Sequence, residues 1–85
     1  MERTEITKKI ISCLKVEYKT VSIDEETALE YSGENSLDMS SMDIIDFIIQ
    51  IEEEFCMIVD ISTRFETIGD VVNYIHSKLN GEETL

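Results

Sequence analysis

The sequence predicts a single all-α domain, and three observations predict it. Three stretches repeat their apolar residues at the period of a helix, and no proline interrupts any of them. The third observation is composition: 42% of the 85 residues are apolar, far from the make-up of a disordered acidic tail. A chain of this size buries only about 60% of the surface its unfolded form exposes, so its core has to be economical. No linker, internal repeat or low-complexity tract divides it, and residues 1–85 read as one domain.

The first helix is expected from about Thr4 to Val16 or Tyr18. Ile6, Ile10, Cys13, Leu14 and Tyr18 recur at helical spacing, with Lys8, Lys9, Lys15 and Glu17 elsewhere on the wheel. A long polar connection follows, Thr20 to Met39, in which Val21, Ile23, Leu29 and Leu37 are the expected anchors to the core. Loops of that length usually carry function or small turns of their own. The second helix is expected from Ser40 or Ser41 to Phe55. Met42, Ile45, Ile48, Ile49, Glu52 and Phe55 share its period, while Ile44, Phe47 and Ile51 widen the apolar arc. The segment Cys56 to Glu66 is short and mixed. Its Met57-Ile58-Val59 run is β-rich, but a brief helical turn around Asp60 to Arg64 is the preferred reading. The last helix is expected from about Thr67 to Leu79, on Ile68, Val71, Val72, Ile75 and Leu79, with Asn80-Gly81 as its stop signal.

Charge narrows the function. Nineteen acids against seven bases give a formal charge of −12, which argues against nucleic acid, since phosphate neutralisation needs Lys and Arg. It also argues against anionic membrane surfaces and favours partners with basic patches, met quickly through electrostatic steering. The charges are segregated: five of the seven bases precede residue 20, and none lies between Lys19 and Arg64. No apolar run reaches membrane-spanning length and the N-terminus has no signal-peptide character, so a cytoplasmic monomer is expected. Cys13 and Cys56 make no disulfide framework and read as reduced residues in or near the core. His76, the single histidine, is expected to face solvent; neither cysteine has a base beside it in sequence, so no catalytic residue is assigned. No calcium-loop pattern, zinc spacing or glycine-rich phosphate loop is present, and no metal is expected.

The start of the second helix is the candidate site. In Ser40-Ser41-Met42-Asp43, Ser40 is a good N-cap, and Asp43 three residues later can complete a capping box. That tetrapeptide alone does no more than start a helix. The longer run Ser41-Met42-Asp43-Ile44-Ile45-Asp46-Phe47-Ile48-Ile49-Gln50-Ile51-Glu52-Glu53-Glu54-Phe55 resembles the signature helix of the acyl carrier protein family, in which a serine opens a helix that ends in Glu-Glu-Glu-Phe. Phe65-Glu66-Thr67-Ile68-Gly69-Asp70-Val71-Val72-Asn73-Tyr74-Ile75 is similar to the family's last helix. The resemblance is strong from Leu37 onward and rests on pattern alone in the N-terminal helix.

The resemblance implies a four-helix bundle with a long first loop and a short or irregular third helix. It implies a 4'-phosphopantetheine arm on Ser41, attached by a phosphopantetheinyl transferase and carrying acyl or aminoacyl groups as thioesters between enzymes. It places Asp43, Asp46, Glu52 and Glu53 among the acids that dock basic patches, and Met42, Ile45 and Ile49 among the partly exposed apolar residues beside the arm. Ser36, in Asn35-Ser36-Leu37-Asp38, is a rival for the attachment point. A helix begun there would spoil the apolar stripe and misplace the Glu52-Glu53-Glu54-Phe55 ending, so Ser41 is preferred. Three departures mark a specialised member: Ser40 where the family has Asp, extra residues between Leu29 and Leu37, and about two fewer between Phe55 and Ile68. The alternative function is a carrier-fold protein that is never loaded and serves as an acidic interaction subunit.

Overall fold

A computed structural model describes residues 2–19, 22–60 and 62–79 of the chain. Within them the fold is all-helical, with α1 at Arg3–Lys15, α2 at Ser41–Phe55 and α3 at Ile68–Leu79. The expected anchor Val21 and the stop signal Asn80-Gly81 lie outside the described residues.

The first helix begins with a reciprocal capping box between Glu2 and Glu5, which satisfies two of the amide groups that a helix start leaves unpaired. Its buried face is Ile6, Ile10 and Leu14, at the i, i+4, i+8 spacing of one helical face; Cys13 and Tyr18 are only half-buried. This face packs along α3, whose Ile68, Val71, Val72 and Ile75 are all at most 1% exposed.

α2 corrects the sequence reading of its apolar stripe. The residues it buries are Phe47, Ile51 and Phe55, flanked by half-buried Ile44 and Ile48, whereas Met42, Ile45 and Ile49 are 68%, 44% and 47% exposed. A helix with isoleucines on most of its circumference offers two candidate faces, and the docking of the two phenylalanines decides between them. α2 touches α1, and the Lys9–Glu54 ion pair (3.3 Å) joins the two. No Cα of α2, however, lies within 8 Å of a Cα of α3.

The fourth, short helix that the resemblance implies does not form among the described residues. Asp60 to Arg64 makes a single turn, closed by Thr63 N–H donating to Asp60 O (2.9 Å), with Ile61 outside the description. Asp60 stabilises that turn locally, its carboxylate accepting from Ser62 N–H (3.0 Å) and Ser62 Oγ (2.7 Å). Met57-Ile58-Val59 forms no strand either: it leaves Cys56, the left-handed cap of α2 (φ 52°), with Met57 N–H bonded back to Glu52 O (3.1 Å). Cys56 is exposed at this cap rather than near the core, and Cys13 is half-buried; both are free thiols. His76, expected to face solvent, is half-buried on α3.

The long connection is organised by backbone hydrogen bonds on both sides of residues 25–29. On one side Ala28 N–H donates to Asn35 O, Leu37 N–H to Ala28 O and Met39 N–H to Leu29 O, at 2.8–2.9 Å. On the other, Leu29 N–H donates to Glu66 O, Ile68 N–H to Thr27 O and Gly69 N–H to Glu25 O, at 2.7–2.9 Å. The segment thereby caps the start of α3 with its own carbonyls. Gly69 permits this, because a Cβ there would stand 3.0 Å from the Glu25 carbonyl oxygen. Arg3 of α1 hydrogen-bonds both Glu25 and Asn73, fastening loop, α1 and α3 at one corner.

At the centre of the connection Thr27 is fully buried. Its hydroxyl accepts from Asp24 N–H (2.9 Å) and donates to Asn35 Oδ1 (2.8 Å). Thr27→Val keeps the shape and removes both bonds, leaving a donor and an acceptor without partners. The expected cost is about 1–3 kcal/mol, read as a lower urea midpoint with the helical circular-dichroism spectrum retained.

Candidate functional site

The capping box expected at α2 is formed in both directions. Asp43 N–H donates to Ser40 Oγ (3.2 Å), and Ser40 N–H donates to Asp43 Oδ2 (3.0 Å). Ile44 N–H closes the first turn on Ser40 O (3.0 Å). Ser41 is therefore the first residue of the helix, fixed by neighbours on either side while its own side chain stays exposed and unbonded among the described residues. The N–H groups of Ser41 and Met42 belong to the orphan donors of a helix start. Ser36 differs on each count. It sits in the loop, half-buried, with its Oγ donating to Gly33 O (2.8 Å).

At about 100° per residue, Ser41, Ile45, Ile49, Met42, Glu53 and Asp46 fall along one continuous side of α2, opposite the Phe47–Ile51–Phe55 face. All six are exposed, and exposed Asp43 adjoins them at the far edge. Glu52 stands apart: it is half-buried and its Oε2 accepts from Val59 N–H (3.0 Å), so part of that carboxylate is taken up by the fold. The negative charges at this end of the molecule act on Tyr18, just past the end of α1. Burial pushes the Tyr18 phenol above its ordinary value, and the charges of Asp43, Glu17 and Asp38 push it further.

A cleft of about 760 Å³ lies between α2 and the 59–67 segment. Ile44, Ile45, Ile48 and Ile49 form one wall, Val59 and Phe65 belong to the other, and Ser41 lies on its lining. That volume is in the range of small-molecule pockets, and a mostly apolar wall with polar groups at the rim is their usual make-up. The sequence reading missed the cleft and its residues Tyr31, Arg64 and Phe65. The only signal available was the excess of isoleucine on α2, more than one buried face can use.

Among the described residues no helix is long and apolar enough to cross a membrane. No protein-family model matches the chain. Individual proteins do. The chain is 32% identical over 80 residues to an acyl carrier protein of Lactobacillus acidophilus, spanning 91% of this chain and 96% of that one. It is 33% identical over 78 residues to an acyl carrier protein of Porphyromonas gingivalis, spanning 89% and 97%. With an acyl carrier protein of Thermotoga maritima it shares 31% over 80 residues, spanning 91% and 95%.

The geometry separates capping from attachment. Ser40→Ala should lower stability by about 0.5–2 kcal/mol through loss of the cap. Ser41→Ala, at an exposed and unbonded side chain, should stay within about 0.5 kcal/mol of wild type. Urea denaturation of the two variants side by side checks the contrast.

Proposed function

Since the chain belongs to the acyl carrier protein family, and is thus a carrier and not an enzyme, we propose that Ser41 bears the family's 4'-phosphopantetheine group and that α2 presents it to partner enzymes. The observation that carries this reading is the position of Ser41: exposed, first in its helix, and on the lining of an apolar cleft. When bound, the group supplies a thiol that holds acyl groups as thioesters. The protein supplies the rest. The amides of Ser41 and Met42 offer hydrogen bonds and positive potential to a phosphodiester oxygen on Ser41, as helix starts commonly do for phosphate. The capping box keeps those amides in place with or without the group.

The cleft gives an apolar acyl group somewhere to go besides water. Removing a methylene from water is worth about 0.8 kcal/mol, so a chain of several carbons has a substantial reason to fold back beside Ile44, Ile45, Ile48 and Ile49. The described residues of the 57–66 segment, with the turn at Asp60–Thr63, lie where the bundle's short third helix is expected and form the far wall. Partners are a phosphopantetheinyl transferase and acyl-handling enzymes with basic patches. They dock on the exposed side of α2, where Asp43, Asp46 and Glu53 surround Met42, Ile45 and Ile49, with Glu52 at the edge. The apolar residues supply contact area and the acids steer encounter.

Incubated with coenzyme A and a permissive transferase, the wild-type protein should gain the mass of one phosphopantetheine group. Ser41→Ala should abolish the gain and Ser36→Ala should retain it; intact mass spectrometry reads all three. The reverse pattern would move the attachment to Ser36. No gain in the folded wild type with several transferases would favour the unloaded interaction subunit.

Asp46→Lys together with Glu53→Lys tests the docking side without touching the capping box. Loading should slow mainly through its association rate, and the difference should shrink as salt rises toward and beyond 0.15 M, where the Debye length is about 8 Å. Unchanged low-salt kinetics would place docking elsewhere.

A further inference from the structure

α2 and α3, whose Cα atoms all stay more than 8 Å apart, both bond to one dipeptide of the cleft wall. Val59 N–H is held by Glu52 Oε2 of α2 (3.0 Å), and the next amide, Asp60 N–H, is held by Tyr74 Oη of α3 (2.9 Å). Both residues of the dipeptide line the cleft, and Val59 is 5% exposed. Tyr74 stands behind this wall and grips it at a second point. Its ring meets Phe65, which also lines the cleft, edge-on at 5.4 Å and 85°, with Lys78 Nζ over the same ring at 5.5 Å. Between these grips the described residues of the wall form no helix, and the hydrogen bond found there is that of the Asp60–Thr63 turn.

We propose that Glu52 and Tyr74 are positioning residues that set the width of the cleft, and so how firmly the protein holds its acyl group, by tying Val59–Asp60 between the two helices. This rests on the reading that the cleft receives the acyl chain. The physical argument is one of alternatives. A wall built as a helix would be held by its own backbone bonds, whereas this wall is held by two side-chain acceptors on opposite helices. Releasing either lets the dipeptide move outward, and its amide finds water in place of the lost partner. The cost of opening is then that of one hydrogen bond and of exposing Val59, within reach of a docking enzyme that covers the same surface. Glu52 lies at the edge of the exposed side of α2, so a basic group that engages its carboxylate competes directly with Val59 N–H. Docking and release are linked at one residue.

The test uses the protein loaded from acetyl- or octanoyl-coenzyme A by a permissive transferase. Cleavage of each thioester by hydroxylamine is normalised to that of the same coenzyme A thioester. In wild type the octanoyl thioester should be protected relative to the acetyl one, which is too short to use the cleft. Tyr74→Phe keeps the ring against Phe65 and removes the acceptor; Glu52→Ala removes the other. Tyr74→Phe should speed octanoyl cleavage about three- to tenfold, the equivalent of one neutral hydrogen bond, Glu52→Ala should speed it at least as much because its bond is to a carboxylate, and both should leave acetyl cleavage unchanged. Glu52→Gln, which retains a carbonyl acceptor, should behave as wild type. Full octanoyl protection in both Tyr74→Phe and Glu52→Ala overturns the tie while leaving the cleft reading intact. Absence of octanoyl protection in wild type overturns both. Amide exchange on the unloaded protein gives a reading independent of loading: Tyr74→Phe should speed exchange at Asp60 and spare the α1 and α3 core amides. Unchanged exchange at Asp60 overturns the tie.

Discussion

The seam between α1 and α3 is the packing on which the rest of the structure depends. Ile6, Ile10, Ile68, Val71, Val72 and Ile75 are all at most 1% exposed, and burying one such side chain is worth roughly 1.5–3 kcal/mol. Exposed ion pairs such as Lys9–Glu54 are worth about 0–1 kcal/mol, so apolar packing and not charge pairing holds the domain together. With α1 committed to α3, α2 can dock on only part of the shared core. It does so with Phe47, Ile51 and Phe55 and stands clear of α3. The exposed apolar side of the helix that carries Ser41 follows from that arrangement.

A chain of net charge −12 has to place its acids where repulsion is offset, and several are built into the fold as acceptors. Asp43 at α2 and Asp70 at α3 close capping boxes three residues after Ser40 and Thr67, where the positive end of the helix dipole favours a carboxylate. For Asp24, burial would raise the carboxyl's pKa, but hydrogen bonds from Glu26 N–H, Asn35 and Thr27 outweigh it and hold the group below its ordinary value. Asp60 is lowered by its hydrogen bonds to Ser62, with Lys78 adding to the effect. A folded-state value below the unfolded one means that these two carboxylates stabilise the fold at neutral pH. That contribution fades as pH falls through the folded values. Acids without such duties, Asp46 and Glu53 among them, are left exposed on the side of α2 away from the core.

A carrier has two opposed requirements, to shield its cargo in transit and to give it up at the enzyme. A rigid apolar cavity meets only the first. Here the cleft has one helical wall, stiffened by the capping box beside Ser41, and one wall made of a turn and an extended run held by side chains. Under the proposal, that difference lets one wall yield without moving Ser41.

Much of this was legible in the sequence. Apolar periodicity and cap residues are local properties, and they fixed the three helices to within about a residue at most ends, the Ser40–Asp43 capping box, and Leu29 and Leu37 as core anchors. The proposal that Ser41 and not Ser36 carries the group rests on a local pattern of the same kind, the spacing from Ser41 to Glu52-Glu53-Glu54-Phe55 within one continuous helix. Other features needed three dimensions. Which face of an isoleucine-rich helix is buried depends on what it docks against, so the core of α2 fell to Phe47, Ile51 and Phe55 and not to the stripe through Met42 and Ile45. Whether residues 57–64 form a helix, a strand or a turn depends on acceptors brought in from elsewhere, Glu52 and Tyr74, seven and fourteen residues from the amides they hold. The cleft belongs to no segment at all. Its walls come from α2, from residues 28–32 and from the 59–67 segment, which only the tertiary structure brings together.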